Sequence, residues 1–302
     1  MMILTDFQRK ISALLPNFQL CFSESMSGHT SFRIGGPAEV MAFPENAQQL
    51  SELLNVSRLL DIKPAILGAG TNVLAPDEGM QGLVICLKRL EGMQQLDECH
   101  IRVSAGVTMA RAATFAASAG LSGLEFAHGI PGTVGGGVYM NAGAYGGEIA
   151  QVCQQVTVVH LDGTAEVLSA QQMDFSYRHS ALEESGDIVV DAVFRLEKKD
   201  PEEIRAYMQE LMNRRRASQP LNLPSAGSAF KRPVGGYAAA LIDAAGLKGY
   251  RVGGAAVSEK HAGFVVNLDH SSASDVKRLL EQVSQRVFAH SGIRLEPEVR
   301  IW

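Results

Sequence analysis

Between residues 129 and 147 the chain places glycine at positions 129, 132, 135, 136, 137, 143, 146 and 147, with Ile130, Val134, Val138, Tyr139 and Met140 between them. Few folds need this many glycines in one stretch with apolar residues between them. What glycine offers is backbone at positive φ and close approach of main-chain N–H groups to a neighbour. Two readings follow. The run is a set of tight turns and bulges between layers, or it is a cradle whose N–H groups meet an anionic ligand.

A second glycine loop tips the balance. The strand-like Ala65-Ile66-Leu67 runs into Gly68-Ala69-Gly70-Thr71-Asn72. This loop lacks the third glycine of a dinucleotide fingerprint and continues into Pro76-Asp77 rather than a helix, so a Rossmann site is excluded. Two such loops in one chain favour the cradle.

Alternating helices and strands surround these loops. A helix is expected from Asn46 to Leu60, with Asn46 and Gln49 as a capping pair and Leu50, Leu53 and Leu54 on one face. Further helices are expected from Thr108 to Ala119, ended by Gly120, from Pro201 after Asp200 to about Arg216, and from near Ser272 to Gly292. Strands are expected at 82–87, 101–103 and 187–194, and a hairpin at 156–160 and 165–168 around Asp162-Gly163. The pattern reads as α+β. Pro220 and Pro224 break the chain after the arginine-rich helix end. The division expected is therefore 1–197, itself split near 87, and 198–302.

A net charge of −5 and a pI of about 5.9 argue against general nucleic-acid binding, which needs a basic face, and leave room for a local basic site for phosphates. No apolar run approaches the roughly 20 residues of a membrane helix, and Met1 to Asp6 lack the basic start of a signal peptide. Cys21, Cys86, Cys99 and Cys153 show no paired or metal-ligand spacing. They read as reduced thiols of a cytoplasmic protein. The histidines offer no metal motif, so no metal is expected. Nothing indicates an oligomer.

Three segments resemble the flavin-binding parts of the UDP-N-acetylenolpyruvoylglucosamine reductase family. They are Thr30-Ser31-Phe32-Arg33-Ile34-Gly35-Gly36-Pro37, Leu67-Gly68-Ala69-Gly70-Thr71-Asn72-Val73-Leu74 and Gly129-Ile130-Pro131-Gly132-Thr133-Val134-Gly135-Gly136. The resemblance extends from about residue 28 to the C-terminus. It implies a two-subdomain FAD-binding fold of the vanillyl-alcohol-oxidase type plus a C-terminal α+β substrate domain. By the same resemblance, Arg33, Gly68, Ala69, Gly70, Thr71, Asn72, Gly129, Ile130, Pro131, Gly132, Val134 and Gly135 hold FAD, and NADPH is the reductant. A short stretch after Arg178 resembles the subtype without a tyrosine-loop insertion.

Three more segments match the family: Phe175-Ser176-Tyr177-Arg178-His179-Ser180, Pro224-Ser225-Ala226-Gly227-Ser228-Ala229-Phe230-Lys231 and Leu295-Glu296-Pro297-Glu298-Val299-Arg300. The resemblance makes Arg178, Ser228 and Glu298 catalytic in reducing the enolpyruvyl group of a UDP-sugar. The chemistry accounts for the types. Hydride arrival at the terminal carbon leaves enolate charge, which a fixed guanidinium stabilises. A general acid, here Ser228, then protonates the carbon. Glu298 polarises the enolate if protonated or orients Arg178 if ionised. Taken singly, Arg178 and Glu298 read as surface charges and Ser228 as a turn residue.

The resemblance also puts Tyr177, Arg214, Arg215, Lys231 and Arg300 near the UDP-sugar. Helix-end arginines that complement the macrodipole are the competing account of Arg214 and Arg215. Two rivals remain. One is an oxidase of the wider flavin fold, disfavoured by the Ser228 and Glu298 segments; the other is a non-catalytic sensor of nucleotide sugars on the same scaffold.

Overall fold

A computed structural model describes residues 4–302. The chain forms two compact units. Unit 1 comprises the described residues up to Phe22, then Val40–Ala69 and Gly82–Arg214; unit 2 comprises Ser23–Glu39, Gly70–Gln81 and Arg215–Trp302. The division differs from the single cut at 197/198 expected from sequence. Two short early segments belong with the C-terminal part, and the passage at Ala69–Gly70 falls inside the first glycine loop.

In unit 1, helices α1 (Asp6–Leu14), α2 (Ala47–Leu59), α3 (Met109–Ser118), α4 (Val134–Tyr139) and α5 (Leu182–Ser185) accompany the sheets, and α6 (Pro201–Ser218) begins there. A five-stranded antiparallel sheet runs in the order Ala165–Ser169, Cys153–Val159, Ile188–Arg195, His100–Ser104, Met93–Gln95. Its inward residues Ile101, Val103, Val156, Val158, Ala192 and Phe194 are buried with Ala112, Ala113, Ala116 and Ala117 of α3. Helix α4 lies close on the strands Ile188–Arg195 and His100–Ser104, and the small alanines of α3 pack against α4 in the same core. A parallel pair sets Ala65–Leu67 beside the end of the strand Met80–Cys86, with Ala65 opposite Val84 and Leu67 opposite Cys86.

Unit 2 has its own core. Helix α7 (Ala238–Ala244) and helix α8 (Ala273–Ser291) lie with an antiparallel sheet ordered Ser225–Ser228, Phe264–Asn267, Ala255–Val257, Arg251–Val252. Val276, Leu279, Leu280, Val283 and Val287 recur at helical spacing on α8 and are all buried. Each such side chain contributes about 1.5–3 kcal/mol. Ser272 and Asp275 form a capping box, and Gly292 closes α8 at φ 72°, at the bounds expected from sequence. The short parallel pair of Arg300–Ile301 with Val73–Leu74 brings the chain's end beside the early segment of the same unit.

Candidate active site

The two glycine stretches meet within unit 1. A Cβ on Gly68 would lie 2.7 Å from Thr133 Oγ1, so glycine at 68 is what lets the first loop pack on the second. Thr133 in turn caps α4, its hydroxyl accepting from Gly136 N. Gly132 sits at φ 134°, a region closed to other residues. Around it Met109 N donates to Gly132 O at 3.0 Å, Val134 N to Val107 O at 2.8 Å and Gly135 N to Ala105 O at 2.9 Å. The Gly129–Gly135 loop is thereby fixed before any ligand arrives. At its start, His128 Nδ1 is buried without a hydrogen-bond partner among the described residues. A fixed glycine loop beside an unsatisfied buried donor or acceptor suits a polar cofactor.

In unit 2 the remaining loop residues form a second cluster. Gly70, at φ 65°, lies against the carbonyl of His29 and the Cα of Thr30, where a side chain has no room. Glycine at 70 is thus demanded by the protein's own backbone, in addition to any ligand. Ser31 N donates to Gly70 O at 3.0 Å, and Ser31 Oγ to Ser225 O at 2.6 Å. Arg33 stands at φ 55°, in a bend whose Thr30 hydroxyl bonds Ile34 O at 2.8 Å. The cofactor-binding residues expected from sequence are therefore divided. Gly68, Ala69 and the 129–135 set lie in unit 1; Arg33, Gly70, Thr71 and Asn72 lie in unit 2.

Ser228 ends the strand Ser225–Ser228 opposite Phe264, after a register shift that Gly227 allows at φ 78°. The next residue makes the key contacts. Ala229 N donates to Gly263 O at 2.8 Å, and Glu298 N donates to Ala229 O at 2.9 Å. Ser228 and Glu298 consequently stand on neighbouring extended segments. Lys231 N bonds Glu296 O at 2.9 Å along the same pairing. On the other side of Glu298, Asn72 Nδ2 donates to Glu298 O at 3.2 Å and Arg300 N to Asn72 O at 2.9 Å. Unit 2 thus brings together Asn72, Ser228, Lys231, Glu298 and Arg300 of the expected set.

Behind Ser228, His261 Nδ1 accepts from Gly263 N at 3.1 Å, and its ring meets Phe264 edge-on at 5.0 Å. Burial pushes the His261 pKa below its ordinary value.

Arg178 belongs to unit 1 and is held differently. Ser176 and His179 exchange hydrogen bonds at 3.2 Å, leaving Tyr177 and Arg178 at the tip of a tight turn. Arg178 takes φ 58°, at a cost of about 1–2 kcal/mol for an L-residue. Its guanidinium lies 5.2 Å from the Tyr177 ring centroid. Two side chains anchor this turn that sequence reasoning did not single out, Asn141 and Ser180. Asn141 Nδ2 donates to Ser176 O at 3.0 Å, and Ser180 Oγ donates to Tyr139 O at 2.8 Å. The available signal was Asn141 itself, an amide inside an otherwise small and apolar run.

Arg214 and Arg215 are separated by their facing on α6. Arg214 is exposed and pairs with Glu210 one turn earlier. Arg215 turns inward, with its Nε and Nη1 atoms buried.

The C-terminal domain of UDP-N-acetylenolpyruvoylglucosamine reductase matches residues 219–302, and an FAD binding domain matches residues 38–169. The UDP-N-acetylenolpyruvoylglucosamine reductase of Agathobacter rectalis is 45% identical over 98% of each chain. That of Lactococcus lactis subsp. cremoris is 43% identical over 95% of this chain and 96% of its own. Among solved structures, the UDP-N-acetylenolpyruvylglucosamine reductase of Thermus caldophilus superposes with a TM-score of 0.78 at 36% identity, covering 95% of this chain and 99% of that one. An alkyldihydroxyacetonephosphate synthase shares the fold at a TM-score of 0.50 and 15% identity, over 66% of this chain and 42% of that one. The fold is that of an α+β flavoprotein of the vanillyl-alcohol-oxidase type, and by sequence and structure together the chain belongs to the UDP-N-acetylenolpyruvoylglucosamine reductase family.

Proposed function

We propose that the protein is a cytoplasmic, FAD-dependent reductase that uses NADPH to convert UDP-N-acetylglucosamine enolpyruvate to UDP-N-acetylmuramate, a step in building peptidoglycan precursors. Family membership supports the reaction class. The observation that supports the chemistry is the Glu298–Ala229 pairing, which puts Ser228 and Glu298 on neighbouring extended segments.

When bound, FAD supplies the hydride that reduces the double bond. By the family resemblance, Arg33, Gly68, Ala69, Gly70, Thr71, Asn72 and the Gly129–Gly135 loop would hold it. Arg178 carries a permanent charge that neutralises the substrate carboxylate as enolate character develops. Ser228 holds a proton on Oγ and gives it to the carbon next to the carboxylate. The strand pairing holds its Cα in place, so little reorganisation accompanies the transfer. Glu298, from the adjacent segment, donates a hydrogen bond to the enolate if protonated, or orients Arg178 if ionised. Lys231, Arg300, Tyr177 and the inward-facing Arg215 bind the UDP-sugar. Arg214, engaged with Glu210, contributes less. No helix among the described residues is long and apolar enough to cross a membrane, which suits a water-soluble nucleotide-sugar substrate.

The test is product formation. Purified protein carrying one non-covalent FAD, given NADPH and the enolpyruvyl sugar without oxygen, should form UDP-N-acetylmuramate mole for mole with NADPH consumed. NADPH oxidation that proceeds only with oxygen, and forms no sugar product, would overturn the reading. Glu298→Gln separates the two roles of that carboxyl. Retained activity identifies a hydrogen-bond donor, whereas full loss identifies a required charge.

A further inference from the structure

We propose that Asn141 is a positioning residue for Arg178, coupling the end of the glycine-rich segment to the turn that presents the guanidinium. The inference rests on the role given to Arg178 above. Asn141 is 1% exposed and stands at φ 41°, a left-handed conformation that asparagine tolerates better than most residues. Both ends of its amide are engaged. Oδ1 accepts from Ala150 N at 2.9 Å, and Nδ2 donates to Ser176 O at 3.0 Å. Ser176 O already accepts from His179 N across the turn. Asn141 thereby fills the remaining acceptor site of the carbonyl that closes the turn, and fixes its peptide plane two residues before Arg178.

A second strut runs the opposite way. Ser180, fully buried, donates its hydroxyl to Tyr139 O at the end of α4. The turn is gripped on both sides of Arg178 by the stretch that follows the 129–135 loop. Since Arg178 itself sits at positive φ, the local backbone does not favour its own conformation, and the struts reinforce the main-chain exchange between Ser176 and His179 that closes the turn. The bond between Asn141 and Ser176 spans 35 positions in sequence.

Asn141→Asp isolates the claim. It keeps the acceptor for Ala150 and the tolerance for positive φ, and when ionised it sets a second acceptor where the donor to Ser176 stood; the half-reactions are therefore compared at a pH above the carboxyl's titration. Variants are loaded with FAD, and each half-reaction is followed by stopped flow. The expected result is NADPH reduction within about twofold of wild type. Reoxidation by the enolpyruvyl sugar should fall by about tenfold in limiting rate, with a smaller change in half-saturating sugar concentration. Combined with Arg178→Lys, Asn141→Asp should add no more than about twofold, because both act through one guanidinium. Multiplying effects in the double variant, or an unchanged reoxidation in Asn141→Asp, would overturn the proposal. If Arg178→Lys alone leaves reoxidation untouched, the role of Arg178 fails instead, and the two failures are distinct. Should Asn141→Asp not retain FAD, Ser180→Ala decides. Selective slowing of reoxidation supports the coupling, and equal or absent slowing of the two half-reactions contradicts it.

Discussion

In unit 2, Ser228 and Glu298 stand on extended segments joined by main-chain hydrogen bonds, Glu298 to Ala229 and Lys231 to Glu296, and the Ser228 segment is also tied to Gly263 through Ala229. Their geometry belongs to the backbone and survives a change of side chain. In unit 1, Arg178 stands at the tip of a turn in a left-handed conformation, gripped by the side chains of Asn141 and Ser180. Its geometry depends on other residues' functional groups in addition to the main-chain exchange between Ser176 and His179. Serine has a short reach and a weak acidity, so its Cα must be fixed closely; arginine has a long reach and a permanent charge, so a side-chain-braced turn suffices. Substitutions in unit 2 should therefore separate chemistry from structure cleanly, and substitutions around the turn should blur them.

The largest effect is expected from breaking the backbone framework of unit 2. Gly70→Val places a Cβ on the His29 carbonyl at positive φ and should cost about 3–5 kcal/mol in denaturant unfolding. Gly227→Ala is the control. It shares the positive φ but has open space at the Cβ position, so about 1 kcal/mol is expected. Equal losses in the two variants would contradict the packing account of Gly70.

On the turn side, Arg178→Lys should slow sugar-dependent reoxidation by about 10²-fold, as for a lost oxyanion donor, and spare NADPH reduction. Arg178→Gly should lose the same activity yet stay within about 1 kcal/mol of wild-type stability, because glycine accepts the left-handed conformation. A strongly destabilised Arg178→Gly protein would show that the turn needs the arginine for folding.

A gentler probe of the Ser228 strand is pH. The His261 pKa is lowered chiefly by burial. The unfolded chain therefore takes up the proton first as pH falls through the ordinary value of about 6.5, and stability declines from there down to the folded pKa. His261→Gln should flatten that decline in urea midpoints measured between about pH 7 and 5. An unchanged slope would mean that the ring is protonated in the folded state.

The smallest effect tests the rigidity of unit 1. Cys153 is 6% exposed, and burial pushes its thiol up to about 12. Neutral-pH alkylation of native protein should leave Cys153 unlabelled, whereas labelling there would reveal local opening of the sheet.

The parts of the fold legible in sequence are those set by local chemistry. The Asn46 cap of α2, the Thr108 cap of α3, the Asp162-Gly163 hairpin and the capping box of α8 appear within a residue or two of expectation. Gln49 departs in detail, its side chain bonding Glu45 N instead of Asn46 N. Helix α4 was hidden because its sequence, Val-Gly-Gly-Gly-Val-Tyr, has poor helical propensity and is held by Thr133 and by packing against Ala105 and Met109. The division of the chain was illegible for a related reason. Residues 23–39 and 70–81 join unit 2 through long-range bonds such as Asp77 to the first turn of α8, and no local pattern announces them. Of the candidate site, residues chosen for their chemistry were visible. Asn141, whose work is to hold a carbonyl 35 positions away, was not.

The central claim is that Ser228 serves the sugar half-reaction alone, from a position the backbone fixes. Single-turnover reoxidation of pre-reduced Ser228→Ala enzyme tests it most directly. The account predicts full FAD content, near-normal reduction by NADPH, and reoxidation by the enolpyruvyl sugar slowed by about 10²–10⁴-fold, with partial recovery in Ser228→Cys, where a thiol donates from nearly the same place. Reoxidation of Ser228→Ala at the wild-type rate would contradict it and remove Ser228 from the mechanism.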